Sequence, residues 1–440
     1  MNEILLREWQ TVGPSDHPAL ASPSQLSQEE SEQISELNRS RQIEILEVRG
    51  GWRVSTRSYV GLVRLGQTTL HIRPKLAELS PAGMATFLRY ALGMKMVPGW
   101  NETTDVPVEA GGFVDLIAQA LLEETNALLR AGFLRDYETQ MAWRSSPRGR
   151  LDLMEFARHP MRGQTTAAIP CRISERVTDI ALNRLLLATL NAVRALVTDP
   201  GLVFNLHSRS ALLGELCRAV PLTSALLIEA TVDIDRRSAH YQPILEIAGL
   251  ILQGMGATVD QSPHRTSLST FLLDMNLLFE RFLGRLLCEY GPPALRVETQ
   301  VNQGSAYRWQ ENPFRWKRPR LRPDIVLYEK ATDTPRLILD AKYKPLGAGR
   351  SPSPEDLYQL TLYSLSFRAL GYVPARIVFP TAISLTTHSI PCLDFHGLSP
   401  GHTLACISFY GLPILSVTDM LRSEDENSLR EIGNALCVAS

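Results

Sequence analysis

At 440 residues the chain is long enough for two or three domains, each burying its own core. Its 44% hydrophobic and 21% charged residues are ordinary globular usage and exclude a disordered polar chain; no apolar run approaches the ~20 residues that cross a bilayer, and MNEILLREWQ lacks a signal peptide's basic and apolar regions, so a cytoplasmic location without membrane contact is expected. A formal net charge of −1 excludes a polycation and leaves nucleic-acid contact to local basic patches, while six scattered cysteines without a C-x-x-C pair suggest reduced, mostly buried thiols.

No internal repeat is visible. After a short apolar start, residues 11 to 40 are polar, and Ser27-x-x-Glu30 reads as a capping box opening one short helix. From Ile43 to Leu76, the stretches IEILEV, WRVSTRSYVGLVRL and TTLHIRPKL are rich in β-branched and aromatic residues and are broken at Gly50-Gly51 and Gly66, which predicts a small β-rich module. Residues 81 to about 260 read mainly as helix: Val114, Ile117, Ala118, Leu121, Leu122, Leu128 and Leu129 recur at helical spacing before a stop at Gly132, and ALNRLLLATLNAVRALV and YQPILEIAGLILQGM repeat the pattern. Such stripes are core-packing faces and carry no chemistry of their own.

Phe271, Leu272, Met275, Leu278, Phe279, Phe282, Leu283, Leu286 and Leu287 then form a stripe that predicts a helix through TSLSTFLLDMNLLFERFLGRLLCEY. Three strand-like runs follow, VETQVN, DIVLYE and RLILDAKY. EDLYQLTLYSLSFRAL is helical, with Ser353 as N-cap and Pro354 in the first turn, and ARIVF reads as a buried strand. Helix, three strands, helix, strand describes a mixed α/β domain. The chain is thus expected to divide into a β-rich module at 1–80, a mainly helical region at 81–262 and an α/β domain at 263–440.

In RPDIVLYEKATDTPRLILDAKYK, Asp324 opens one strand and Asp340 closes the next, with Lys342 two residues on. Strand alternation points Asp340 and Lys342 the same way, and pairing of the two strands would bring both carboxylates to one end of the sheet. Two carboxylates supply the hard oxygen ligands that Mg²⁺ prefers, Mn²⁺ being the alternative, and Lys342 can orient a water or stabilise charge on phosphorus. The segment RWKRPRLRP runs straight into Asp324; its Arg315, Lys317, Arg318, Arg320 and Arg322, interleaved with Trp316, suit either a phosphate clamp or a solvated hairpin with charged edges. Lys344 extends the same basic set. His388, Cys392 and His396 have a loosely ligand-like spacing, but a fourth ligand and a turn motif are missing, which argues against zinc.

Pro323-Asp324, a gap, then Asp340-Ala341-Lys342 resembles the PD-(D/E)xK nuclease motif, with Leu337-Ile338-Leu339 as its buried central strand. Glu280, which beside an apolar stripe would ordinarily be a solvated flank, lies where that resemblance implies a third acidic metal ligand. Gln359 and Tyr363, one helical turn apart, match the Q-x-x-x-Y feature of the RecB-like branch, although such a pair can also simply pack its helix on a sheet.

The likeness is wider. Ser58-Tyr59-Val60-Gly61 with Ile72-Arg73-Pro74-Lys75, Arg148-Gly149-Arg150-Leu151-Asp152, Asp274-Met275-Asn276-Leu277-Leu278-Phe279-Glu280 and Asp340-Ala341-Lys342-Tyr343-Lys344 resemble successive signatures of the McrC family. Ala341 stands where Thr is common, and the first forty and last sixty residues match nothing quotable. The resemblance implies a magnesium-dependent nuclease subunit that docks through its N-terminal parts on a hexameric McrB-type AAA+ GTPase, stimulates it and cuts modified or foreign double-stranded DNA. The sequence holds no G-x-x-x-x-G-K-[ST] loop, so a nucleotide motor would be another chain. A stand-alone restriction or repair nuclease and a non-enzymatic activator of an AAA+ partner are the alternatives; the intact Asp324, Asp340 and Lys342 argue against the latter.

Overall fold

Apolar residues at alternate positions build the N-terminal sheets. The computed structural model describes residues 2–21, 28–65, 68–75, 79–94, 108–158, 168–197, 199–255, 270–302, 307, 310, 315, 317–318, 320–344, 346, 351–367, 372–381, 391–396 and 403–438. In chain order it begins with β1 (Asn2–Arg7), β2 (Thr11–Val12), α1 (Gln28–Arg39), β3 (Ile43–Val48), β4 (Gly51–Thr56), β5 (Tyr59–Leu65), β6 (Thr68–Arg73) and α2 (Pro81–Ala91). The expected β-rich module and short helix are present, with β1 as an additional strand; Ser27, Gly66 and Leu76 lie outside the described residues. Strands β2, β4 and β3 form one antiparallel sheet, and a second has the order β1-β6-β5-β10, its last strand arriving from far along the chain. Ile4, Leu6, Ile43, Ile45, Val54, Leu70 and Ile72 fill one core together with Leu272 of that distant strand.

Next come α3 (Val108–Ala131), β7 (Asp136–Arg144), β8 (Arg150–Leu151), α4 (Leu153–Arg158), β9 (Ile169–Val177), α5 (Ala181–Leu196), α6 (Pro200–Gly214), α7 (Ser224–Val232) and α8 (Gln242–Met255). Helix α3 stops before Gly132, whose φ of 85° is readily adopted only by glycine. Helix α5 is buried along most of its length and packs against α6, α7 and α8. The mainly helical reading of this region holds, with one addition that it did not include: β7, β9 and β8 form an antiparallel sheet. Alternation reports one buried face, and β7 has none to report, since every one of its residues is exposed except the half-buried Ala142. In the Arg148–Asp152 signature, Gly149 passes so close to β9 that a Cβ would lie 2.4 Å from the Arg172 carbonyl oxygen. Asp152 pairs with Arg172 at 2.8 Å and accepts from the Glu155 amide at the start of α4.

The chain continues through β10 (Thr270–Asp274), α9 (Met275–Tyr290), β11 (Leu295–Thr299), β12 (Ile325–Glu329), β13 (Thr334–Ala341), α10 (Pro354–Ser366), β14 (Ala375–Thr381), β15 (Cys392–Phe395), β16 (Ala405–Pro413), α11 (Ile414–Ser423) and α12 (Glu426–Cys437). The helix, three strands, helix, strand order expected here is found, in a mixed six-stranded sheet of order β11-β12-β13-β14-β16-β15. The α10 crossover joins the parallel pair β13 and β14, and Leu360 and Tyr363 of α10, with Phe367 just past its end, pack on Val326, Ile338, Ala375 and Ile377. One element differs: Phe271 and Leu272, expected in the α9 helix, belong to β10. Asp274 ends the strand by capping α9, its side chain accepting from the Asn276 amide, so an unbroken apolar run changes conformation at one acidic residue.

Two compact units result, Met1–Phe113 with Ser269–Ser440, and Val114–Leu268. This regroups the three consecutive segments expected at 1–80, 81–262 and 263–440, because β10 completes the N-terminal sheet. Two family signatures meet at that junction. The Met275 amide donates to the Ser58 carbonyl at 2.9 Å and Asn276 Nδ2 to Ser58 Oγ at 2.7 Å, while Gly61 (φ 136°) lies where a Cβ would be 2.1 Å from the Phe271 carbonyl oxygen. Among the described residues no helix is long and apolar enough to cross a membrane. Gly61→Ala is therefore expected to destabilise the protein by at least about 2 kcal/mol, read as a lower urea midpoint, because both its backbone angle and its neighbour exclude a Cβ.

Candidate active site

Antiparallel pairing of β12 with β13 sets Ile325 opposite Leu339 and brings Asp324, just before one strand, to Asp340 near the end of the other. The carboxylate of Asp324 is fixed there, Oδ2 accepting from the Ala341 amide at 2.8 Å. Asp340 is 0% exposed, and neither of its carboxylate oxygens has an aligned hydrogen-bond donor. What faces it is the Lys342 ammonium, 2.8 Å from Oδ2, close enough for an ion pair although not directed as a hydrogen bond. Burial first, then repulsion from Asp340 and Glu280, raises the Asp324 carboxyl well above the usual range; burial likewise raises Asp340 against the pull of Lys342. Burial would lower Lys342, but the carboxylates of Asp340, Asp324 and Asp356 outweigh it and hold the ammonium charged.

Glu280, on the second turn of α9, joins the group. Burial raises its carboxyl, its charge reaches both Asp324 and Asp340, and Arg322 acts on it in the opposite sense. Gln359 and Tyr363 belong to the same cluster. Lys342 Nζ donates to Gln359 Oε1 at 3.4 Å, Gln359 Nε2 donates to the Tyr363 hydroxyl at 2.7 Å, and that hydroxyl donates to the Arg322 carbonyl at 3.1 Å. The pair thus ties the lysine to the chain entering Asp324. All six residues proposed from the sequence for the chemistry converge here.

Three residues of the site were not legible in the sequence. Gln300, just past β11, donates its side-chain amide to Glu280 and its backbone amide to the Asp324 carbonyl at 2.7 Å. Asp356 is buried at the start of α10, where it forms a capping box with Ser353. Glu8, at the end of β1, is 3% exposed and accepts from the Lys75 amide at 2.6 Å and from the Tyr343 hydroxyl at 3.0 Å. Only Asp356 left a sequence signal, as the acidic third residue after an N-cap serine. Through Glu8, the Pro74-Lys75 signature and the Asp340–Lys344 signature are joined.

Arg315, Lys317, Arg318, Arg320 and Arg322 are exposed, with Trp316 outside the described residues. Lys344 pairs with Asp356, its ammonium 2.9 Å from Oδ2. The cysteines depart from expectation: only Cys171, Cys217 and Cys406 are buried. Cys392, Asp394 and Cys406 bring their ligand atoms within 4.8 Å of one another across β15 and β16, a grouping that includes neither His388, which lies outside the described residues, nor His396.

The fold and site define a mixed α/β protein with buried carboxylates and a lysine at the end of an antiparallel strand pair. Residues 54–378 match the family model described as McrBC 5-methylcytosine restriction system component, well over half of the chain, and the chain belongs to that family. A chain in the refined half-complex from a tetradecameric assembly of Thermococcus gammatolerans McrB AAA+ hexamers with bound McrC is similar in fold, with TM-score 0.56 and 18% identity over 98% of this chain and 100% of that one. A chain of the Thermococcus gammatolerans McrBC complex matches at TM-score 0.45 and 17% identity, covering 66% of this chain and 88% of that one, too weakly to carry an argument. No curated protein matches the chain.

Burial, opposed by hydrogen bonds from Lys75 and Tyr343, pushes the Glu8 carboxyl up to about 7 from an ordinary 4.5. A carboxyl whose folded value is raised contributes stability that is full below its unfolded value and is lost as pH rises through the folded one. Glu8 should therefore cost the fold about 3 kcal/mol between pH 4.5 and pH 8. In Glu8→Gln the fall in melting temperature across that window should be shallower than in the parent protein; parallel curves would show that Glu8 is not buried as described.

Proposed function

We propose that the chain is the DNA-cutting subunit of a McrBC-type restriction complex, a PD-(D/E)xK-type endonuclease that uses Mg²⁺ and docks on a McrB-type AAA+ GTPase. The observation that carries the nuclease reading is the crowding of acids at Asp340: this fully buried carboxylate, already paired with Lys342, has Asp324 and Glu280 close enough for their charges to repel, a burden that a further cation would relieve. A hard divalent ion suits an all-oxygen donor set of this kind, and Asp324, Asp340 and Glu280 are the residues that would hold it. When bound, such an ion lowers the pKa of a coordinated water and offsets charge on phosphorus.

The remaining roles fall to the chain's own residues. Lys342, kept charged by its acidic neighbours, presents its ammonium to the attacking water or to the scissile phosphate. Gln359 and Tyr363 limit where that ammonium can go and steady the backbone at Arg322. The exposed cations from Arg315 to Arg322 meet backbone phosphates on this reading, a contact that favours DNA without reading its sequence. Family membership and the likeness in fold, along nearly the whole chain, to a chain from McrB hexamers with bound McrC support docking on such a partner.

The test is DNA cleavage by the full chain with its GTPase partner, GTP and Mg²⁺. Asp324→Ala and Asp340→Ala are each expected to lower cutting by about 10³-fold or more, and Lys342→Ala by about 10²-fold, while stimulation of GTP turnover stays at the parent level. Undiminished cutting by both aspartate variants would refute the site. Cutting by the isolated chain without partner or GTP would favour a stand-alone nuclease instead.

A further inference from the structure

Lys342 stands in a position it has to leave. Its ammonium is 2.8 Å from Oδ2 of Asp340, a carboxylate that, on the reading above, would hold a divalent cation. Two cations on one buried carboxylate at close range repel each other strongly. The ammonium has two other acceptors within a short swing, Gln359 Oε1 at 3.4 Å and Asp356 Oδ1 at 3.8 Å. Of these only Asp356 carries charge.

Asp356 is built to be found there. Its carboxylate is buried and anchored on one side, Oδ2 accepting from Ser353 Oγ at 2.9 Å within the capping box of α10. Lys344 Nζ lies 2.9 Å from Oδ2 and 3.1 Å from Oδ1, so one ammonium is already paired with the group while Oδ1 still faces Lys342. Burial alone would raise Asp356, but the hydrogen bonds from Lys344 and Ser353 outweigh it and hold the carboxyl below its usual range. The group is therefore a fixed negative charge whose Oδ1 lies 3.8 Å from the Lys342 ammonium.

We propose that Asp356 is a positioning residue that receives the Lys342 ammonium when Asp340 takes up a divalent cation, so that cation binding and lysine placement are one event. The inference rests on the proposed metal site. It makes Lys342 an internal competitor of the cation at Asp340, and Asp356 the group that relieves that competition.

Mn²⁺ binding to the full chain, measured by titration calorimetry without DNA, tests this. Lys342→Met is expected to tighten Mn²⁺ binding about tenfold by removing the competitor, and Asp356→Asn to weaken it by a similar factor. In Lys342→Met the further change Asp356→Asn should have no effect beyond about twofold, since its role runs through the lysine. Lys344→Met, which removes the tether on Asp356 but not its charge, should stay within about twofold of the parent. Unchanged affinity in Asp356→Asn, a loss that persists in the double variant, or an equal loss in Lys344→Met would overturn the proposal. If Asp356→Asn does not fold, Lys342→Met alone decides, because failure to tighten refutes the competition. Absence of Mn²⁺ binding in the parent would reject the metal site itself, whereas binding that depends on Asp340 but is indifferent to Asp356 would reject only this inference.

Discussion

Taking the Asp340 carboxylate out of water is the constraint around which the functional end of this protein is organised. An isolated buried carboxylate costs several kcal/mol, so something positive must stand beside it. Here that is Lys342, at the end of the same strand and on the same side. Asp324 adds a second acid at the strand opposite, and Glu280 a third from α9, so negative charge accumulates well beyond what one lysine neutralises. An ordinary structural ion pair does not gather three acids so closely, even with Arg322 and Arg281 acting on Glu280. The excess favours a cation-dependent function over a purely architectural role.

Keeping such a cluster in place requires rigid support, which comes from both ends of the chain. Glu8, just past β1, holds Tyr343, the residue next to Lys342, and also the Lys75 amide beyond β6. Ser58, ahead of β5, holds the first turn of α9 on which Glu280 rides. On the sheet, Arg376 is 0% exposed and donates to the carbonyls of Ala435, Leu436 and Val438, tying the end of α12 to β14. The N-terminal sheet is thus continuous with the site's support, and the family signatures, scattered in sequence, are largely pairs of touching segments.

Much of this was legible beforehand because it is written in local patterns. The β-rich module, α5, α8, α9 and α10, and the strand order around Asp324 and Asp340 follow from periodicity and caps, and strand pairing alone explains why Asp324 and Asp340 meet. Other features depend on partners distant in sequence. Nothing near Glu8 announces Tyr343, and nothing near Gln300 announces Glu280. Strand β7 was hidden because a strand exposed on both faces lacks the alternation that burial imposes. Phe271 and Leu272 looked helical because the apolar run of β10 continues directly into that of α9, and only the capping side chain of Asp274 separates the two conformations. Cys392 and Cys406 illustrate the same limit, since cross-strand neighbours carry no fixed spacing.

On the proposed function, the oxygens of Asp324 and Asp340 hold a divalent cation. Anomalous scattering from crystals of the full chain soaked in Mn²⁺ tests it most directly. The predicted result is a single strong peak at metal–oxygen distances of about 2.1 Å from both aspartates, with the Lys342 ammonium moved away from Asp340. A structure from saturating Mn²⁺ in which no peak lies between these carboxylates and Lys342 still pairs with Asp340 would contradict it.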